Sequence, residues 1–220
     1  MTALTVTATA SGAQEIMGAL AVRVLTGSAA SQPGTIDPEQ TSPPTALFTP
    51  EATGSVVYGA IQVFPGTTTL TAVPGTTVIS SDSTEDVSYG TTITTGLVAG
   101  TAVTVGASAP AGEFNAVAFA EILPADGETL AEDASTPAGP LTSETAPFLT
   151  TAEFDPPAGA RLVAIVSALA ETSVITDTMG LTWTSLVAIG TLCQIWTAVV
   201  PSASTPPAAG GSALMASGLC

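Results

Sequence analysis

Short runs of apolar and β-branched residues, cut repeatedly by Pro-Gly, Pro-Pro and Gly-rich turns, occupy most of this chain. They leave little room for a helix. Leu4, Val6, Ala8 and Ala10 alternate with Thr5, Thr7 and Thr9. That period of two marks a half-buried strand. Ile16 to Leu25 is apolar or β-branched on both faces, with Arg23 in its middle, and also reads as a strand. Further strands are expected over 54–64, 68–73, 76–79, 91–95, 101–107 and 114–123. In the last, Phe114, Ala116, Ala118 and Ala120 share one face, and Asn115, Val117, Phe119 and Glu121 the other. A second group covers 149–154, 161–168, 173–176, 181–188 and 191–200. Turns at Pro65-Gly66 and Pro74-Gly75 bracket the middle strands.

The pattern predicts an all-β fold, a single β-sandwich or jelly-roll-like domain over residues 1–200 with about a dozen short antiparallel strands. Residues 1–123 supply the N-terminal strands. Residues 124–147, rich in Asp, Glu, Pro, Gly and Thr, read as a linker, and 148–200 supply the C-terminal strands. A long loop is expected over 28–50. The Pro-, Ala-, Gly- and Ser-rich segment 201–220 reads as an extended, flexible tail.

The side-chain inventory excludes much chemistry. There is no histidine and no lysine, and Arg23 and Arg161 are the two cations against 18 acids, for a net charge of -16. A serine nucleophile has no base, and no Schiff-base lysine or phosphate-gripping loop is present. Two arginines cannot form a track along a nucleic-acid backbone. Hydrophobic residues make up 45%, enough for a full core. Charged residues are only 9%, against roughly 25% in an ordinary domain. The surface is therefore mostly Thr, Ser, Gly, Pro and Ala, which suits a chain packed in an assembly or one that works outside the cell.

Mean hydropathy is +0.51, so the apolar stretches 161–170 and 185–200 are the candidates for a membrane span. The first is shorter than the roughly 20 residues required. The second is interrupted by Gly190, Thr191 and Gln194. Neither a span nor an export signal is expected, since residues 1–10 lack a positively charged start.

Several residues invite a chemical reading. Paired carboxylates can hydrolyse glycosides without histidine. Most acids here fall in loops, however, and Glu121 and Glu153 are the nearest to a strand setting. Calcium is the weak metal candidate, through Asp126 and Glu128 or through Asp82, Glu85 and Asp86. Neither set has the spacing of an EF-hand loop. No cofactor and no catalytic residue is expected. Cys193, opposite Gln194 and Trp196 in its strand, reads as a small buried hydrophobe. A disulfide to Cys220 stays open. Trp183, Trp196, Phe119 and Phe154 read as core, and Tyr58 and Tyr89 as the better-exposed candidates for stacking a sugar. Arg23 and Arg161 read as partners of carboxylates, within the domain or across a subunit interface.

One stretch carries recognisable text. Pro156-Pro157-Ala158-Gly159-Ala160 leads into Leu162 to Ser167. Thr176-Asp177-Thr178-Met179-Gly180-Leu181-Thr182-Trp183-Thr184 follows, then Gln194-Ile195-Trp196-Thr197-Ala198. This resembles a β-sandwich module of virion proteins from tailed bacteriophages of actinobacteria, minor tail proteins above all. The segments LTVTATASG, GALAVRVLTGS and FNAVAFAEIL resemble later strands of that module, so the order here is circularly permuted. In the module the turn from Asp177 to Gly180 would set up a hairpin, and Trp183 and Trp196 would plug the sandwich. The resemblance implies a non-enzymatic virion component, assembled in the host cytoplasm, oligomeric, and partnered by other virion proteins and by copies of itself. A tail tip or fibre position would add adhesion to the host surface. The alternatives are a capsid decoration protein and a carbohydrate-binding module meeting a host-surface glycan.

Overall fold

The structure is a computed structural model that describes residues 3–10, 16–30, 35–39, 42–84, 86–111, 114–139, 141–146, 148–168, 173–190 and 192–202. Its strands are β1 (Val6–Ala10), β2 (Ile16–Thr26), β3 (Thr35–Glu39), β4 (Thr45–Phe48), β5 (Val56–Phe64), β6 (Thr71–Ala72), β7 (Thr76–Ser83), β8 (Ser88–Thr94) and β9 (Val103–Ala109). They continue with β10 (Phe114–Ile122), β11 (Ala131–Glu132), β12 (Leu141–Ala146), β13 (Phe148–Thr150), β14 (Arg161–Ala168), β15 (Ser173–Asp177), β16 (Thr184–Ile189) and β17 (Cys193–Val199). No helix occurs among the described residues, and every strand pairing is antiparallel. The all-β expectation holds.

The strands form four sheets, named here by a central strand. The β1 sheet has the order β13-β1-β15. The β14 sheet runs β11-β2-β14-β17-β16, with β12 also on β2. The β5 sheet runs β3-β10-β5-β8-β7, and the β9 sheet is β4-β9-β6. Three apolar cores lie between them. Leu4, Val6, Leu149 and Phe154 of the β1 layer meet Leu20, Val22, Leu162 and Val166 of the β14 sheet. The other face of that sheet, with Ala21, Val163, Ile165 and Ile195, meets Tyr58, Ala60, Ala116, Ala118 and Ala120 of the β5 sheet. The far face of the β5 sheet, with Val57, Ile61, Val117 and Phe119, packs on Ala46, Phe48, Val105 and Ala107 of the β9 layer.

The molecule is thus two sandwiches stacked face to face in four layers, extending the single sandwich expected from sequence. Residues 35–122 build the β5 and β9 sheets. The flanking stretches, before and after them, build the other two. The two inner sheets are covered on both sides. That is why β14 is buried at every position from Arg161 to Ala168, and β5 at every position but Phe64. Successive side chains alternate between faces, so a strand buried on both must be apolar or small throughout. Each fully buried Val, Leu or Ile contributes roughly 1.5–3 kcal/mol.

Alanines dominate the β5-sheet side of the central interface and let the inner sheets approach closely. The Ser167 hydroxyl donates to the Ile61 carbonyl at 2.7 Å, and the Cys193 thiol donates to the Ala116 carbonyl at 3.2 Å. Both bonds run from a side chain of the β14 sheet to the backbone of the β5 sheet. Gly18 is required nearby, because a Cβ there would strike the backbone of Ser167 and Ala168 on the neighbouring strand.

Three expectations are corrected. The segment 124–147 is not a bare linker: β11 and β12 lie along one edge of β2, pairing Ala131 with Thr26, Glu132 with Leu25 and Leu141 with Leu20. The loop expected over 28–50 contains β3 and β4, which edge the β5 and β9 sheets. Strand β7 continues past Ile79 to Ser83, because Ser81, Asp82 and Ser83 pair with Gly90, Tyr89 and Ser88. Edge strands satisfy backbone groups rather than apolar faces, so hydrophobic periodicity does not mark them.

Candidate functional site

Arg161 opens β14 on the face toward the β5 sheet and is 4% exposed. Its Nε donates to the Ser28 hydroxyl at 3.2 Å and Nη1 to the Thr197 hydroxyl at 3.0 Å. Its Nη2 donates to the carbonyls of Ala29 and Ala30 at 2.7 and 3.0 Å. The Thr197 hydroxyl in turn donates a hydrogen bond to the Leu162 carbonyl. The guanidinium therefore staples the segment that leaves β2 toward the second sandwich. Burial pushes its proton affinity below the ordinary arginine value. No carboxylate pairs with it among the described residues, so of the two expected placements of an acidic partner the one within the domain is not found there.

Beside Arg161 lies a cleft of about 550 Å³, with Thr184 and Thr197 as polar walls and Met179, Leu186 and Val199 as apolar ones. One wall belongs to the segment joining β15 to β16. Asp177 organises it: Oδ1 accepts from the Met179 amide at 2.7 Å, and Oδ2 accepts from the Leu181 amide at 3.0 Å and Trp183 Nε1 at 2.8 Å. The turn expected to close a hairpin instead carries the chain from the β1 sheet to the β14 sheet.

The other singled-out residues are dispersed. Arg23 pairs with Glu132 at 2.8 Å inside the chain, with side chains 20% and 40% exposed. Of the two expected placements of its carboxylate partner, the one within the domain is found, as a tie between β2 and β11. Trp183 precedes β16 and Trp196 lies on β17. Both are half-buried against the outer core of the first sandwich, and Trp196 Nε1 donates to Gln194 Oε1 at 3.1 Å. Phe119 and Phe154 are buried.

Tyr58 and Tyr89 are 0% exposed and cannot stack a sugar. Both lie on the face of the β5 sheet that the β14 sheet covers, a face that a lone β5–β9 sandwich would leave open. The exposed aromatics among the described residues are instead Phe148 on β13 and the cross-strand partners Phe64 and Phe114, the last two at 47% and 43% exposure. Their position at the ends of β5 and β10 was the available signal.

Glu121 is buried and accepts from the Glu51 amide at 3.1 Å and from the Ser55 hydroxyl. That arrangement holds the 51–55 turn and leaves the carboxylate facing backbone. Glu153 is exposed in a loop. Asp82 sits on β7 rather than in a turn, with Oδ1 on the Ser83 amide. Asp86, Asp126 and Glu128 are exposed, and Glu85 lies outside the described residues. Among those residues no group of three or more acids, cysteines or histidines is placed to hold a metal ion. Burial pushes the Cys193 thiol well above its ordinary value. Cys220 and the tail beyond residue 202 lie outside the described residues. No described helix is long and apolar enough to cross a membrane.

Comparison with family models, with curated proteins and with solved structures gave no match.

Proposed function

We propose that this chain is a non-enzymatic structural component of a tailed-bacteriophage particle, a minor tail protein that works by docking on neighbouring subunits. The observation that carries the docking role is on the outer face of the β1 sheet. Phe148 and Val174 flank Thr9 in one register row and are 54% and 50% exposed. Exposed apolar rows on a small sheet mark contact surfaces. Both arginines are engaged inside the chain, at Glu132 and at neutral oxygens. The described surface therefore offers apolar, hydroxyl and acidic groups, and a low-charge surface costs little to desolvate. The phage assignment rests on the resemblance of 156–198 to virion modules.

A cryo-electron reconstruction of the particle whose genome encodes the chain tests this reading. Density for the four-layer stack on the tail, with Phe148 and Val174 against a neighbour, is the expected result. Density on the shell would assign capsid decoration, and absence from the particle would overturn both. A glycan-binding reading is favoured by one feature, the exposed Phe64–Phe114 pair, which has the spacing of a stacking platform. Retention on host-envelope glycans, lost in Phe114→Ala, would establish it.

A further inference from the structure

We propose that the cleft beside Arg161 binds a carboxylate carried on a short aliphatic stem, either a free organic acid or a glutamate side chain of another polypeptide. The inference is independent of the phage assignment.

Three observations support it. The first is a charge imbalance. Arg161 is buried, and its four hydrogen bonds to described residues all end on neutral oxygens. A buried cation is costly unless an anion compensates it. The chain has 18 acids, and Arg23 is matched with one at 2.8 Å, yet no described acid reaches Arg161. Among the described residues Nη1 bonds only Thr197, and a guanidinium nitrogen of this kind carries a second N–H to give. The second is the cavity itself: about 550 Å³ lies within the range of small-ligand sites. The third is its rim. Met179 and Val199, 40% and 48% exposed, are among the few large apolar side chains left uncovered, and both line the cleft.

Together these describe one cation, threonine hydroxyls and an apolar wall. A single guanidinium with one remaining donor suits a monovalent carboxylate better than a dianionic phosphate. The Asp177 carboxylate is held by the Met179, Leu181 and Trp183 N–H groups and does not pair with Arg161.

The test is an NMR titration of the full chain at physiological salt with sodium hexanoate, and with 1-hexanol as the neutral isostere. Saturable amide shifts confined to 180–186 and 197–199 are expected, with hexanol at least tenfold weaker. Arg161→Gln should abolish binding, but it also releases the 28–30 segment. Val199→Asp changes only the rim and should weaken hexanoate about tenfold by placing a like charge there, the equivalent of about 1.4 kcal/mol. A short alanine peptide bearing one glutamate distinguishes the sources: tighter binding than hexanoate points to a polypeptide partner, weaker binding to a free acid. Equal shifts from hexanoate and hexanol, or no saturable shift at these residues, would overturn the proposal.

Discussion

The Phe119 ring lies directly over Gly59, its cross-strand partner on β5. A methyl group at Gly59 would sit 2.6 Å from Cε1 of that ring. The tip of the same ring reaches the β9 layer, where a Cβ on Gly106 would meet Cζ at 2.9 Å. One aromatic side chain thus fills the space of two missing side chains and locks the β5 and β9 sheets together.

Gly59→Ala should therefore destabilise by about 1–3 kcal/mol through overpacking, and Phe119→Ala by about 3–5 kcal/mol through the cavity it leaves. The double variant should lose less than the sum, because removing the ring relieves its clash with the added methyl, while the closer contact of that methyl with the Thr92 hydroxyl remains. Urea midpoints of the three variants measure this, and strict additivity would contradict the packing described.

Alkaline stability should be set in part by Tyr58. Burial raises its phenol well above the ordinary 10.0, and Cys193 is likewise raised above 9.0. Both groups stay protonated in the fold while the unfolded chain ionises near its ordinary values. Their contribution is complete below about pH 9 and falls as pH rises beyond it. Among the described residues the Tyr58 hydroxyl has no hydrogen-bond partner. Tyr58→Phe should hold or raise stability by about 1 kcal/mol near pH 7 and reduce the loss near pH 11. A Tyr58→Phe chain that is less stable at neutral pH would show that the hydroxyl is bonded.

Cys193 should be chemically silent. In a Cys220→Ser background the folded chain should not react with a thiol reagent, because the thiol is 0% exposed and bonded to the Ala116 carbonyl. Reaction should appear only on unfolding. Labelling at the rate of a free thiol would mean that the two inner sheets open.

Removing the Arg23–Glu132 tie should have a small effect. Glu132→Gln should cost under about 1 kcal/mol and lose that effect in high salt, since the pair is partly exposed. Hydrogen exchange should still protect the Val24 amide, which donates to the Thr136 hydroxyl. Loss of that protection would show that the ion pair, rather than main-chain pairing, holds 131–136 on β2.

Much of the strand content was legible because alternation is local. Thr5, Thr7 and Thr9 against Leu4, Val6 and Ala8 marked β1. The β-branched, apolar run 161–168 marked β14 as a strand, and both occur as expected. The edge strands β11 and β12 were not legible, since Ala131 and Glu132 carry no apolar pattern and are held through the backbone of β2. Of the site, the arginine could be singled out by its rarity, but not its surroundings. Ser28 lies 133 positions away along the chain, and the cleft walls come from the turn after β15 and from the end of β17.

The sequence by itself determined that this chain is all-β, that its inner strands must be buried, and that histidine- or lysine-based chemistry is closed to it. These follow from side-chain type and from the two-residue period of an extended backbone. Only the tertiary structure decided that there are four layers, that Tyr58 and Tyr89 are covered, and that Arg161 faces neutral oxygens beside a cleft. Antiparallel main-chain hydrogen bonds form almost regardless of side chain. Which face meets which sheet is settled by complementary surfaces far apart in the chain, here the small Ala60, Ala116 and Ala118 against Val163, Ile165 and Ile195.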